Sequence, residues 1–150
     1  MNARVQKTKV EKPRLKRMVL LRSVMIGFKA VLDEELQPLG ITTAQLRVLW
    51  GVEVNSAVSG AEIARYCELT PQSAQAVLAL LERSGWIVRR HSATNDRVLV
   101  AEVMTNGRTV LKHAKALAEK LDRKMWKGIG EQELAGMEAA LTAAAERLKQ

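Results

Sequence analysis

Residues 59–90 read SGAEIARYCELTPQSAQAVLALLERSGWIVRR, and this stretch decides the fold. Ser59 and Glu62 have the spacing of a capping box, a hydroxyl followed three residues later by a carboxylate, so a helix is expected to start there and run to about Cys67. Glu68-Leu69 is too short for anything but a turn. Thr70-Pro71 then supplies a hydroxyl N-cap and a proline at the first helical position, where its missing N–H costs nothing. The next helix runs to Arg83, with Ala74, Val77, Leu78 and Leu81 on its inner side, and Gly85 follows where a left-handed residue is wanted.

Working outward, Trp86–Arg90 and Val98–Met104 are rich in β-branched and aromatic residues and enclose the polar run His91–Asp96, which predicts a β-hairpin with an extended tip. Thr105-Asn106-Gly107 opens a long helix striped by Val110, Leu111, Ala114, Leu117, Leu121 and Met125. Gly128-Ile129-Gly130 breaks it, and a last helix carries Leu134, Met137, Leu141, Ala144 and Leu148. On the other side, Asn55–Ser59 reads as a loop, and Thr42–Gln45 as a second capping box, opening a helix with Leu46, Leu49 and Trp50 as its apolar face. Met18, Leu21, Met25, Phe28 and Leu32 stripe a first helix that Pro38-Leu39-Gly40 ends. Two capped helices joined by a short turn, followed by a polar-tipped hairpin, form a winged helix-turn-helix. The expected class is mainly α with a small β-hairpin wing. A basic arm at 1–17, expected to be disordered, precedes one domain at 18–150. Within that domain a DNA-binding lobe spans about 42–105, and helices at about 18–36 and 106–150 serve dimerisation.

These parts suit duplex DNA. A reading helix must present small or polar side chains at the end that enters the major groove, and Thr70, Gln72, Ser73, Gln75 and Ala76 supply them. Arg89, Arg90 and Arg97 gather on the hairpin, where an arginine on a thin wing can follow the negative potential of an A·T minor groove. The apolar stripes of the first and last helices exceed what so small a lobe can cover, which points to a two-fold homodimer.

Composition narrows the alternatives. At 150 residues with 47% hydrophobic content the chain suits one globular domain, and three Trp, one Tyr and one Phe are few for stacking single-stranded bases. Much of the formal charge of +8 sits at the start, where Arg4, Lys7, Lys9, Lys12, Arg14, Lys16 and Arg17 face Glu11 alone. Such an arm is either a solvated tail or a phosphate-touching one. An architectural DNA-binding protein dominated by that arm is the alternative to a sequence-specific regulator, and deleting residues 2–13 separates the two. Cys67, the single cysteine, excludes an internal disulfide and suits the reducing cytoplasm. The apolar run from Met18 to Phe28 is short for a membrane span and is interrupted by Arg22. No phosphate loop, nucleophile elbow or zinc spacing occurs, so no enzyme, cofactor or metal is expected.

The sequence resembles the MarR family of bacterial regulators over residues 18–150. The resemblance is carried by Gln45-Leu46-Arg47-Val48-Leu49-Trp50, Ile63-Ala64-Arg65-Tyr66, Leu69-Thr70-Pro71-Gln72-Ser73, Leu81-Glu82-Arg83-Ser84-Gly85-Trp86-Ile87, Arg89-Arg90, Asn95-Asp96-Arg97 and Met104-Thr105-Asn106-Gly107, in that order. It implies a homodimer that represses from palindromic operators and is released by a small aromatic effector, with Met25, Phe28, Trp50 and His113 on the helices that form the family's pocket. It also implies an Asp-x-Arg wing tip. Here Asp96-Arg97-Val98 puts valine at the arginine, whereas Asn95-Asp96-Arg97 puts asparagine at the aspartate, so Arg97 is the wing candidate. Some family members sense peroxides through a cysteine in the first helix. Cys67 lies in the third, where an inert buried thiol is the expectation.

Overall fold

The computed structural model describes residues 13–149. In chain order these form α1 (Pro13–Leu36), a 3₁₀ turn (Gln37–Leu39), α2 (Thr43–Asn55), β1 (Val58–Ser59), α3 (Gly60–Tyr66), α4 (Pro71–Arg83), β2 (Ile87–His91), β3 (Leu99–Val103), α5 (Thr105–Met125) and α6 (Glu131–Leu148). The chain divides into two compact units, one running to Leu117 and one beginning at Ala118.

In the first unit the helix starts follow local chemistry. The Thr42 hydroxyl accepts the Gln45 N–H at 3.2 Å, and the Gln45 carboxamide accepts the Thr42 N–H at 2.9 Å. Ser59 and Glu62 repeat the arrangement, with the Glu62 carboxylate accepting both the N–H (2.8 Å) and the hydroxyl (2.7 Å) of Ser59. Those two bonds from Ser59 hold the Glu62 carboxyl below its ordinary range. At the other end of α4, Gly85 takes φ of +71°, a conformation that disfavours side chains, and the Trp86 N–H returns to the Leu81 carbonyl at 3.1 Å to close the helix.

The core of this unit lies where α2, α3 and α4 meet the sheet. Val48, Leu49 and Val52 from α2, Ile63 and Cys67 from the α3 end, Ala74, Leu78 and Leu81 from α4, and Ile87, Ala101 and Val103 from the strands are all buried. The sheet is antiparallel in the order β1-β3-β2, with Val58 opposite Ala101 and Arg89 opposite the other side of the same residue. Asn55–Ser59 reads as a loop by its residues, yet Val58–Ser59 is a strand. Two residues carry no period of their own, and their pairing with β3 across some forty positions is visible only in the fold. Ser56 and Ala57 take positive φ (41° and 47°) in the tight reversal that delivers them there.

Helix α1 begins at Pro13, five residues before the expected start at Met18, so Pro13–Arg17 are helical and the rest of the basic arm lies outside the described residues. Its C-terminal end is anchored by buried Leu32 and Leu36. Asp33 on α1 also caps α2, since its Oδ1 accepts the Thr43 N–H at 2.7 Å and the Thr43 hydroxyl at 2.6 Å. The rest of α1 contrasts with this end: Leu15, Met18, Val19, Leu20, Leu21, Val24, Met25 and Ile26 are all exposed on the chain.

In the second unit, α6 starts with the Glu133 carboxylate accepting the Gly130 N–H at 3.0 Å. None of its residues is buried; Leu134 and Met137 are half-buried, and Leu141 and Leu148 are exposed. Among the described residues no helix is long and apolar enough to cross a membrane.

Candidate nucleic-acid interface

Helix α4 divides its residues as the sequence led one to expect. Ala74, Leu78 and Leu81 face the core while Thr70, Gln72, Ser73, Gln75 and Ala76 are exposed. The Thr70 hydroxyl accepts the Ser73 N–H at 3.1 Å and donates to the Ser73 Oγ at 2.9 Å. Pro71 has no N–H, so the Gln72 N–H is the first-turn donor with no hydrogen bond among the described residues, at the positive end of the helix dipole.

The hairpin places its three arginines in different circumstances. Arg97 is exposed at the tip. Its main-chain N–H is held by the Asn95 Oδ1 at 3.0 Å, and its guanidinium makes no hydrogen bond or ion pair among the described residues. Asparagine at 95 therefore does for the backbone what an aspartate would do, through a short Asx-type turn. Further contacts tie the tip to itself: the Ser92 N–H reaches the Val98 carbonyl at 2.8 Å, the Val98 N–H reaches the Asn95 carbonyl at 2.9 Å, and the His91 Nδ1 meets the Asp96 carbonyl at 2.6 Å. Arg90 is exposed and loosely paired with Glu102 at 3.5 Å. Arg89 is inward and engaged, its guanidinium held by Glu82 and Gln75 of α4. Sequence reading grouped all three as wing cations. The missed signal is that Gln75 and Glu82 stand two turns apart on α4, on the face a strand would touch.

The four candidate ligand residues do not share one site. Met25 and Phe28 line a hollow of about 600 Å³ with Ile26, Lys29, Thr43, Ala44, Arg47 and Glu68. Trp50 lines a smaller one of about 230 Å³ with Glu53, Arg108, Leu111, Lys112 and Lys115, and the Lys115 ammonium stands 4.9 Å from its ring centroid. Trp50 is thus on the wet side of α2, not on the inner face expected for it; Val48, Leu49 and Val52 fill that face. His113 is exposed and lines neither hollow. Cys67 is buried with its thiol donating to the Arg47 carbonyl at 3.7 Å, and burial pushes that thiol above its usual range, which suits an inert side chain.

The fold is shared with known proteins. A family model described as the MarR family matches residues 39–97. An HTH-type transcriptional repressor of Mycobacterium tuberculosis is 33% identical over 106 residues, which is 71% of this chain and 76% of that protein. The chain belongs to the MarR family. It is a winged helix-turn-helix transcriptional regulator and not an enzyme. Among solved structures, that of the S. aureus MepR–DNA complex superposes with a TM-score of 0.81 at 21% identity, covering 91% of this chain and 99% of that one. CouR from Rhodococcus jostii bound to p-coumaroyl-CoA gives 0.76 at 22% identity, covering 87% and 92%. At such identities these two likenesses speak for the fold.

Proposed function

We propose that this MarR-family chain is a homodimeric repressor that binds palindromic operators in cytoplasmic DNA and is released by a small aromatic effector. The observation that carries the proposal is the pairing of a capped, polar-faced α4 with a self-braced wing whose Arg97 guanidinium has no partner among the described residues. Gln72, with a side chain able to make two hydrogen bonds to adenine, and Ser73 and Ala76 beside it, read the major groove. The Gln72 amide and Arg90 hold phosphates, and Arg97 enters the minor groove.

The dimer is supported by α1, whose exposed apolar residues occur all round its circumference. Such a helix needs cover on more than one side, and a second copy related by a two-fold axis covers it while pairing two reading helices. An effector is supported by the hollow beside Met25 and Phe28, whose apolar walls suit a flat ring, with Lys29 and Arg47 at its edge, each facing a carboxylate of the chain, Asp33 and Glu68. Trp50, in its own smaller hollow, is the second place for such a molecule. Release requires the effector to bind one dimer conformation more tightly than the other.

Arg97→Ala tests the wing. Affinity for a mapped operator is expected to fall by ~1–3 kcal/mol with the dimer intact, as measured by fluorescence anisotropy and light scattering. Unchanged affinity would remove the wing from the mechanism.

A further inference from the structure

Arg89 differs from the other wing arginines in having every part of its fork assigned. Its Nε and Nη2 donate to the Glu82 Oε2 at 2.9 and 2.6 Å, its main-chain N–H to the Glu82 Oε1 at 3.3 Å, and its Nη1 to the Gln75 Oε1 at 3.2 Å. Its side chain is 22% exposed. Two guanidinium donors converge on one carboxylate oxygen while the main-chain N–H takes the other, so the charge-assisted bonds tie Arg89 to Glu82 at three points, and the guanidinium beside Glu82 holds that carboxyl below its ordinary range. The positive charge of Arg89 is therefore compensated within the protein before any phosphate approaches.

The consequence reaches Gln75. Its carboxamide oxygen is fixed toward Arg89, and its Nε2 stands over Gly60 at the start of α3, where an added Cβ would lie 2.2 Å from that nitrogen. The side chain thus lies across three elements, α3, α4 and β2, in one orientation. With one of the oxygen's two lone pairs engaged, Gln75 has one acceptor position left beside its two amide N–H groups.

We propose that Arg89, oriented by Glu82, is a positioning residue that occupies one acceptor position of Gln75 and biases it toward donating, so that the base edge opposite Gln75 is an acceptor edge in the major groove, guanine O6/N7 or thymine O4. A freely turning glutamine would instead match adenine with one donor and one acceptor. The inference rests on the DNA-reading function proposed above.

The test is selection of bound sites from a random duplex library by the full chain, followed by binding isotherms at several salt concentrations. Wild type is expected to select G or T at one position in each half-site. Glu82→Gln, Arg89→Gln and Gln75→Met are each expected to relax that one preference by about tenfold. The slope of log K against log salt stays unchanged, and the Glu82→Gln/Arg89→Gln pair loses no more than either alone. Gln75→Met leaves the Arg89–Glu82 pair in place, so it decides the matter if the other variants melt early. A salt slope reduced by about one for each Arg89→Gln half-site, with Glu82→Gln binding as tightly as wild type, would make Arg89 a phosphate contact and overturn the proposal. So would a Gln75→Met protein that selects the wild-type sites. A wild-type chain with no preference among duplexes overturns the functional reading itself, a result distinct from variants that merely share a wild-type preference.

Discussion

Helices α4 and α1 are both rich in apolar residues, yet they dispose of them in opposite ways. In α4 the large apolar residues, Leu80 apart, form one stripe, and Ala74, Leu78 and Leu81 are sealed by the chain's own α2, α3 and strands. In α1 only Leu32 and Leu36 are sealed among the described residues, while Met18, Leu20, Met25 and Ile26 keep half or more of their surface open. The number of apolar residues does not distinguish the two helices; their distribution does. A single stripe can be satisfied by one layer of protein, whereas apolar residues on every side need a second layer. The lobe's core is thus sealed within one chain, and α1 is the element for which we propose a partner.

The sharpest way to break that comparison is to place charge on α1. Leu20→Asp together with Met25→Asp is expected to leave the lobe folded and to dissociate the dimer. Burying one leucine side chain contributes ~1.5–3 kcal/mol, and the two-fold axis counts it twice, so the dimer Kd should rise at least roughly a hundredfold. Sedimentation at micromolar concentration measures this; a variant that sediments as wild type would show that α1 is not the dimer surface. The complementary change lies in α4. Leu81→Ala, at a side chain with no exposed surface, should cost ~2–5 kcal/mol of unfolding free energy in a denaturant titration. A loss below about 1 kcal/mol would contradict the sealed core described for the lobe.

The same contrast explains what could be read from the amino acids alone. The caps at Thr42, Ser59 and Thr70, the left-handed Gly85 and the stripe of α4 are local, set by residues within one or two turns, and each is found where its pattern points. Features decided across the chain were not legible. β1 exists because Val58 and Ser59 meet Ala101 and Val100. Arg89 turns inward because Glu82 and Gln75 wait for it on another element. Trp50 looked like core by its type, yet the smaller Val48 and Val52 take the inner face. A sequence lists the cations of a wing without saying which already have partners, and that distinction separates a DNA contact from a brace.

The joint between the two regions supplies the smallest expected effect and the one most specific in its signature. Asp33, on the last turn of α1, caps α2 through Thr43, and Lys29 one turn earlier pairs with the same carboxylate. Hydrogen bonds from Lys29 and Thr43 lower its pKa from 3.8 to about 2. Because the folded value is the lower one, the stability Asp33 lends is complete above about pH 4 and fades as pH falls toward 2. Asp33→Asn keeps an acceptor for the Thr43 N–H but removes the charge, so it should cost ~0.5–1 kcal/mol at neutral pH. That cost should shrink steadily below about pH 4 and vanish only below about pH 2, as the wild-type carboxyl takes up its proton. Glu62 and Glu82 are also held below their ordinary ranges and lose stability on the same acid limb, so the informative quantity is the difference between wild type and variant at each pH. Curves that run parallel from pH 4 to pH 2 would mean that the carboxylate of Asp33 does not clamp α1 to the lobe, and that Leu32 and Leu36 hold the joint by burial alone.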